Sequence, residues 1–490
     1  MTKILFIQKD FENIGIEYLS ANLKLHGQVV DLIYFSYPIS DNSQNQAIKA
    51  KIDSFKPDIV AFSPFSSQFW WSVLKSRFIK TINPNIFILF GGVHVNSVPQ
   101  EILKEIVIDG IILGEADYTL VQFATNFHSN YTKTPSLWFR KGNKIVKNPL
   151  SPLITDLDIL PPPDKDLFFN LMPKGLKSLP YSVMGSRGCP FACSYCSNNI
   201  YQKLYMGQKR LRYRNPDNIT SELVNAYVKY KFSRVEFSDD VLAIDMDRLK
   251  NLMLLYKKKV NLPFACFFHP QLVTDQTVKY LLEGGCDWMK LGIQSANEEY
   301  RHKYLNRHET NASVLKVSQL CHKYGLGFSF DHIFNLPGET KDHLIEAIIF
   351  YNQCRPSTIN FGGLMYLPGT DIVNLGLQFG DITKTDLKLI NQGRHQLSRQ
   401  YKVPWYFYKK NEQSYNPSII MLMFILITIL PQSIVNFLIR IKLYDWPISI
   451  PNIVIVPLKI ISKFKGHQFY LYTDGVRQRV VKKIAGFTGT

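Results

Sequence analysis

Short apolar runs alternate with stretches of helical periodicity over roughly the first 130 residues. Ile4–Ile7, Val29–Phe35, Ile59–Ser63, Ile86–Phe90 and Gly110–Leu113 read as buried strands, and Ile14–Leu25 has the spacing of an amphipathic helix. Strands of this kind separated by helices predict a parallel, doubly wound sheet of Rossmann-like type, which takes its ligands at the carboxyl ends of the strands. Residues 131–180 read as a connector, because Pro161-Pro162-Pro163 excludes helix and central strand. The alternation then resumes with strands at Ser182–Gly185, Arg234–Phe237, Phe264–Phe268, Trp288–Ile293, Gly327–Ile333 and Ile359–Phe361. Six such units predict a complete or partial parallel barrel of (β/α)6 TIM type, again with its functional groups at the strands' carboxyl ends. The expected division is 1–135, a linker at 136–180, a barrel at 181–390, and a mostly helical region at 391–490.

Composition narrows the class. A chain of 490 residues has room for two to four domains, and 46% hydrophobic with 20% charged residues is neither a disordered nor a multi-span membrane composition. Seven cysteines, three of them within eight residues, do not read as a disulfide framework. Met1-Thr2-Lys3 runs directly into a strand without a secretory pattern, so a reduced, cytoplasmic setting is expected.

The net charge of +18 is uneven: residues 391–490 hold 14 basic and 3 acidic residues, or +11. Within them nothing charged lies between Glu412 and Arg440, and Ile419–Leu430 is almost purely aliphatic. Pro431, Gln432, Ser433 and Asn436 interrupt that run well short of the ~20 residues a membrane span needs. A second apolar stretch, Trp446–Ile461, is broken by Pro447, Pro451 and Pro457. Three readings remain open: a buried helix with a basic rim, a re-entrant or surface-lying segment on the inner face of a membrane, or a true span. Nucleic acid is disfavoured as a partner, since no basic groove with interleaved aromatics is evident.

The chemistry concentrates at Cys189, Cys193 and Cys196, spaced C-x3-C-x2-C just after the first barrel strand. Three thiolates on one loop can hold three irons of a 4Fe-4S cube and leave the fourth open to a chelating ligand. The competing reading is a zinc knuckle completed by a distant His or Cys. Cys266, Cys286, Cys321 and Cys354 sit alone on apolar or helical segments and read as packing residues. In the first sheet three loops fall at strand ends: Asp10 to Gly15, Ser63 to Ser67, and Gly91 to His94. Asp239 and Asp240 could cap a helix or face a ligand. His269 and His332 lie near strand ends and read as structural or cavity-lining, while Phe69-Trp70-Trp71 reads as core.

The cysteine spacing, with aromatic Tyr195 before the third thiol, resembles the signature of radical S-adenosylmethionine (SAM) enzymes. Val235-Glu236-Phe237-Ser238-Asp239-Asp240 is similar to that family's second-strand segment, whose end meets the SAM amino group. Leu291-Gly292-Ile293-Gln294-Ser295 is similar to the fourth-strand segment near the SAM ribose and carboxylate, with Gln294 where many relatives have Glu. The resemblance therefore implies SAM contacts from Tyr195, Ser238, Asp239, Asp240 and Gln294. The N-terminal region resembles the cobalamin-binding domain of one large subclass. It keeps Asp10, Gly15, Ser63, Gly91 and Gly92, and has Glu12 in place of the His that holds cobalt in cobalamin mutases. Ser66, Val93, His94 and Glu115, the last in the domain-end motif Gly114-Glu115-Ala116-Asp117, complete the cobalamin contacts this implies.

The subclass implies a 4Fe-4S cluster, SAM and cobalamin as cofactors, reductive cleavage of SAM to a 5′-deoxyadenosyl radical, and an electron donor such as flavodoxin or ferredoxin. Its methylating members point to C-methylation. The apolar tail motivates a hydrophobic, lipid- or isoprenoid-like substrate. The rivals are a non-methylating reaction such as oxidative cyclisation, and a cobalamin-binding sensor with a structural metal.

Overall fold

Strand β1 (Lys3–Lys9) lies between β2 (Val29–Phe35) and β3 (Ile59–Phe62), and β4 (Phe87–Phe90) and β5 (Gly110–Ile112) extend the sheet, all in parallel. The computed structural model describes residues 1–35, 39–172, 180–394, 417–446, 450 and 452–465. Along β1 the pleat sends Ile4 and Phe6 into one hydrophobic core and Leu5 and Ile7 into another. Both faces are covered by helices, which is why these strands read as unbroken apolar runs rather than alternating ones. The order β2-β1-β3-β4-β5 reverses direction at β1, the switch point where such sheets open a crevice.

The connector holds structure that its composition hid. Strands β6 (Leu137–Lys141) and β7 (Lys144–Lys147) form an antiparallel hairpin added to β5. Their Lys and Arg residues mark an edge facing solvent, a pattern that reads as loop in sequence.

The second sheet runs β8 (Tyr181–Val183), β11 (Val235–Phe237), β12 (Phe264–Phe268), β13 (Cys286–Gln294), β14 (Gly327–Phe334) and β15 (Thr358–Gly363), six parallel strands in sequence order. Between β8 and β11 a short pair, β9 (Ser186–Arg187) with β10 (Arg212–Tyr213), flanks the cysteine loop. Strands β8 and β15 are the two ends of the sheet, so the barrel is partial. Alternation divides its faces: Phe264, Cys266, Phe268, Met289, Leu291, Phe328 and Phe330 pack outward under the helices. The opposite face carries buried polar pairs beside the Phe267 and Trp288 rings. Lys290 donates to Glu236 at 2.5 Å, and Asn360 to Asp331 at 3.0 Å.

The aliphatic run of the C-terminal region is a core helix, Pro417–Ile429. It packs on helix Lys341–Cys354 and on β15, with the Phe424 ring 4.9 Å from His332 and 5.3 Å from Phe334. The run thus covers the outer face of the last barrel strands. Helices Gln432–Arg440 and Asn452–Lys465 follow, the latter continuing through Pro457, while Pro447 and Pro451 lie outside the described residues. Among the described residues no helix is long and apolar enough to cross a membrane.

Candidate active site

Strand β8 ends at Val183, and the chain turns through Gly188 into the cysteine loop. Gly188 has φ 85°, and a Cβ there would sit 2.4 Å from the Arg210 carbonyl oxygen, so only glycine lets the loop fold back on β10. Cys189, Cys193 and Cys196 all line a cavity of about 370 Å³ at the carboxyl ends of the barrel strands. Tyr195, Ser238, Asp239, Asp240 and Gln294 line it too, so the barrel residues singled out in the sequence converge on one space. The remaining four cysteines are buried in the core, with Cys266 and Cys286 Sγ atoms 3.8 Å apart. Among the described residues no three His, Cys, Asp or Glu side chains gather closely enough to hold a single metal ion. Thiolates on three corners of a cube stand further apart, and this donor set, three cysteines without a fourth, fits a cluster with one free iron.

Within this cavity the aspartates differ. Asp239 is buried and accepts from the Gly185 amide at 3.1 Å and from the Ser186 hydroxyl. Burial pushes its carboxyl up to about 6, against those donors. It fastens the turn between β8 and β9, a helix-cap-like duty carried out across strands. Asp240 instead accepts from Asn198 Nδ2 at 3.1 Å and faces the open space. Gln294 takes φ 68°, a left-handed conformation that ends β13 and turns its side chain toward the cavity.

Sequence reasoning missed Arg307. Its guanidinium lies 3.6 Å from Cys193 Sγ and 3.3 Å from the Tyr195 hydroxyl, and donates to Glu309 at 2.7 Å. Nothing in its local pattern, Leu305-Asn306-Arg307-His308, marks it. His269 does line the cavity, stacked on Phe191 at 3.8 Å. Burial and the Arg307 and Arg301 cations push its imidazole down to about 2, so it is neutral. His332 belongs to the core, bonded to the Tyr351 hydroxyl at 2.9 Å.

A second cleft, about 470 Å³, lies between the first sheet and the barrel. Gly15, Ser63, Gly92, Val93 and Glu115 line it, as the loops predicted. Gly92 has φ 86°, and a Cβ there would meet Ser63 Oγ at 2.8 Å, so the small residues let two strand-end loops close up beneath the cleft. Other predicted residues are not in its wall. Gly91 precedes the lining residue Gly92. Ser66 and His94 are buried against each other, Ser66 Oγ to His94 Nδ1 at 2.9 Å, with His94 on the Phe69 ring, so they shape the loop from behind. Asp10 is exposed, at φ 74°, and ends β1. Glu12 is turned away and bound to Lys165.

The barrel supplies the cleft's other wall, which sequence reading left unassigned. Arg212 donates to Glu115 at 2.7 and 2.9 Å, and Arg187 donates to Asp117 at 2.8 and 3.0 Å. Tyr205 accepts from the Glu115 amide at 2.9 Å, and Tyr201 from Asn96 at 3.0 Å. These pairs fix the two domains across the cleft. Asn198, Ser238 and Asp240 line both spaces, so the cleft and the cysteine cavity meet.

Two family models match the chain: the Radical SAM superfamily over residues 183–350 and the B12 binding domain over residues 4–124. An uncharacterized methyltransferase of Pyrococcus horikoshii is 26% identical over 73% of this chain and 76% of its own. The anaerobic magnesium-protoporphyrin IX monomethyl ester cyclase of Rubrivivax gelatinosus is 23% identical over 75% of this chain and 68% of its own. The radical S-adenosylmethionine methyltransferase TsrM from Kitasatospora setae superposes with a TM-score of 0.64 at 13% identity, covering 76% of each chain, which establishes the shared fold. The chain thus joins a B12 binding domain to a radical SAM superfamily domain around one continuous space, and the cofactors of that combination are a 4Fe-4S cluster, SAM and cobalamin.

Proposed function

We propose that this enzyme transfers a methyl group to a carbon atom of a small, hydrophobic substrate. The observation that carries the reading is the meeting of the two spaces at Asn198, Ser238 and Asp240: a substrate seated there touches both cofactor sites. Cys189, Cys193 and Cys196 hold the cluster, and Ser238, Asp240 and Gln294 orient SAM on its open iron. Gly15, Ser63, Gly92, Val93 and Glu115 seat the corrinoid. Bound together, these groups supply reductive cleavage of SAM and a methyl carrier at cobalt.

The chain's own residues do the rest. Arg307 lays a cation against the cysteine loop and Tyr195. Phe191 and Phe267 give part of the cavity wall an apolar surface beside its polar groups, which limits water there and suits an apolar substrate. Asp240, with Asn198 on its outer oxygen, offers an acceptor to an amine at the seam. Similarity to a methyltransferase favours methyl transfer, and similarity to a cyclase favours oxidative cyclisation as the second reading. Product analysis of anaerobic turnover separates them. S-adenosylhomocysteine and 5′-deoxyadenosine together are expected for methyl transfer. 5′-Deoxyadenosine alone would support cyclisation.

A further inference from the structure

The apolar residues of the C-terminal region have two fates. Ile420, Met423, Phe424 and Ile427 of helix Pro417–Ile429 are buried in the barrel's core. The next helix, Gln432–Arg440, turns only Val435 fully inward, and is held to the barrel by polar contacts: Asn352 donates to Asn436 at 2.7 Å, and Gln432 to the Asn352 carbonyl at 3.1 Å. Its outward stripe is Ile434, Phe437 and, just beyond the end, Ile441, spaced three and four apart. Phe437 is 59% exposed. Trp446 continues the stripe, exposed and tied back to the Ile441 carbonyl at 3.3 Å.

Cations edge this face. Arg440 and Lys442 are exposed beside Phe437 and Ile441. The one carboxylate in the turn, Asp445, is engaged by Lys341 at 2.5 Å. From 432 to 465 the chain has five Lys or Arg and one acidic residue. Helix Asn452–Lys465 adds exposed Val454 and Ile461, seven residues apart on one stripe.

We infer that the face formed by Ile434, Phe437, Ile441 and Trp446, with Arg440 and Lys442 at its edge, docks on an anionic lipid surface. Apolar rings flanked by lysine and arginine match the layered chemistry of an interface, with hydrocarbon beneath and phosphate above, and tryptophan suits the boundary between them. A second copy is the weaker candidate, because a face-to-face contact would bring Arg440 and Lys442 up against their own counterparts. The inference concerns this surface alone and does not depend on the reaction proposed above.

The test is cosedimentation of the full-length, cofactor-loaded protein with vesicles of phosphatidylcholine, and of phosphatidylcholine with an equal part of phosphatidylglycerol. Binding is expected only to the anionic vesicles, with release by salt. Arg440→Glu with Lys442→Glu should weaken it about tenfold or more, and Phe437→Ser with Trp446→Ser should abolish it. The absorption spectrum of bound corrinoid reports that each variant is folded. If the serine pair misfolds, the glutamate pair decides. Tryptophan emission should shift to shorter wavelength on anionic vesicles, and Trp446→Phe should remove that shift. No binding to either vesicle, equal binding to both, or a dimer that these substitutions split into monomers would overturn the inference.

Discussion

Asn198 donates from Nδ2 to the Asp240 carboxylate at 3.1 Å, and the same nitrogen lies 3.7 Å from Cys196 Sγ. One amide therefore links Cys196, one of the three cysteines proposed to hold the cluster, to the residue at the seam of the two spaces. A donor aimed at a ligating sulfur stabilises the more reduced, more negative cluster and raises its potential. Asn198→Ala should lower the midpoint potential of the reconstituted cluster, read by redox titration followed by electron paramagnetic resonance. An unchanged potential would show that the amide does not act on that sulfur.

The two domains are held by paired charges with little access to water. Arg212 is 6% and its partner Glu115 13% exposed at the side chain. Removing one member leaves the other charge desolvated, at a cost of about 3–5 kcal/mol. Arg212→Ala should lower the thermal midpoint and weaken cobalamin binding, whereas Arg212→Ala with Glu115→Gln should recover part of the stability. A double variant no better than the single one would argue against the pairing.

Glu12 stands where cobalamin mutases have their cobalt-ligating histidine, yet Lys165 holds it at 2.7 Å and Glu17 at 2.8 Å. Burial works against ionisation of both carboxyls. The Lys165 cation nonetheless holds Glu12 below its ordinary value, while burial pushes Glu17 well above its own. Glu12→Gln should leave the spectrum of bound cob(II)alamin unchanged, and a shifted cobalt signal would mean that Glu12 reaches the metal. Lys165→Met should destabilise the fold by about 3–5 kcal/mol, measured by thermal melting.

Asp239 predicts a pH dependence. Its carboxyl sits at about 6, above the ordinary 3.8, because it is buried. The folded state therefore holds the proton more tightly than the unfolded chain. This contribution is full below pH 3.8 and lost as pH rises through 6. The loss is of order 3 kcal/mol. Asp239→Asn keeps the fit to Gly185 and Ser186 without the charge. Between pH 4 and pH 8 its thermal midpoint should therefore rise relative to the parent. A constant difference across that range would show that Asp239 is not titrating.

The sequence revealed the parts of this molecule whose physics is local. Ile14–Leu25 was readable as a helix from its spacing, and the cysteine loop from its three thiols. Strand β7 was not, because a four-residue Lys144-Ile145-Val146-Lys147 edge looks like loop until β6 pairs with it. Arg307 was equally hidden: its meaning comes from Cys193, 114 residues away in sequence. Ser66 and His94 sit on the predicted loops but bond to one another, since a strand-end position does not say which side a side chain faces. The aliphatic run at 417–429 was legible as apolar, but only packing on β15 shows that it belongs to the core.

The central claim is that Cys189, Cys193 and Cys196 leave one iron of a 4Fe-4S cluster open for SAM. Electron paramagnetic resonance of the reduced, anaerobically reconstituted protein, recorded with and without SAM, tests it most directly. The account predicts a 4Fe-4S signal that changes shape when SAM is added and disappears in Cys193→Ala, which still binds corrinoid. A cluster signal indifferent to SAM, or a protein that takes up zinc without sulfide, would contradict it.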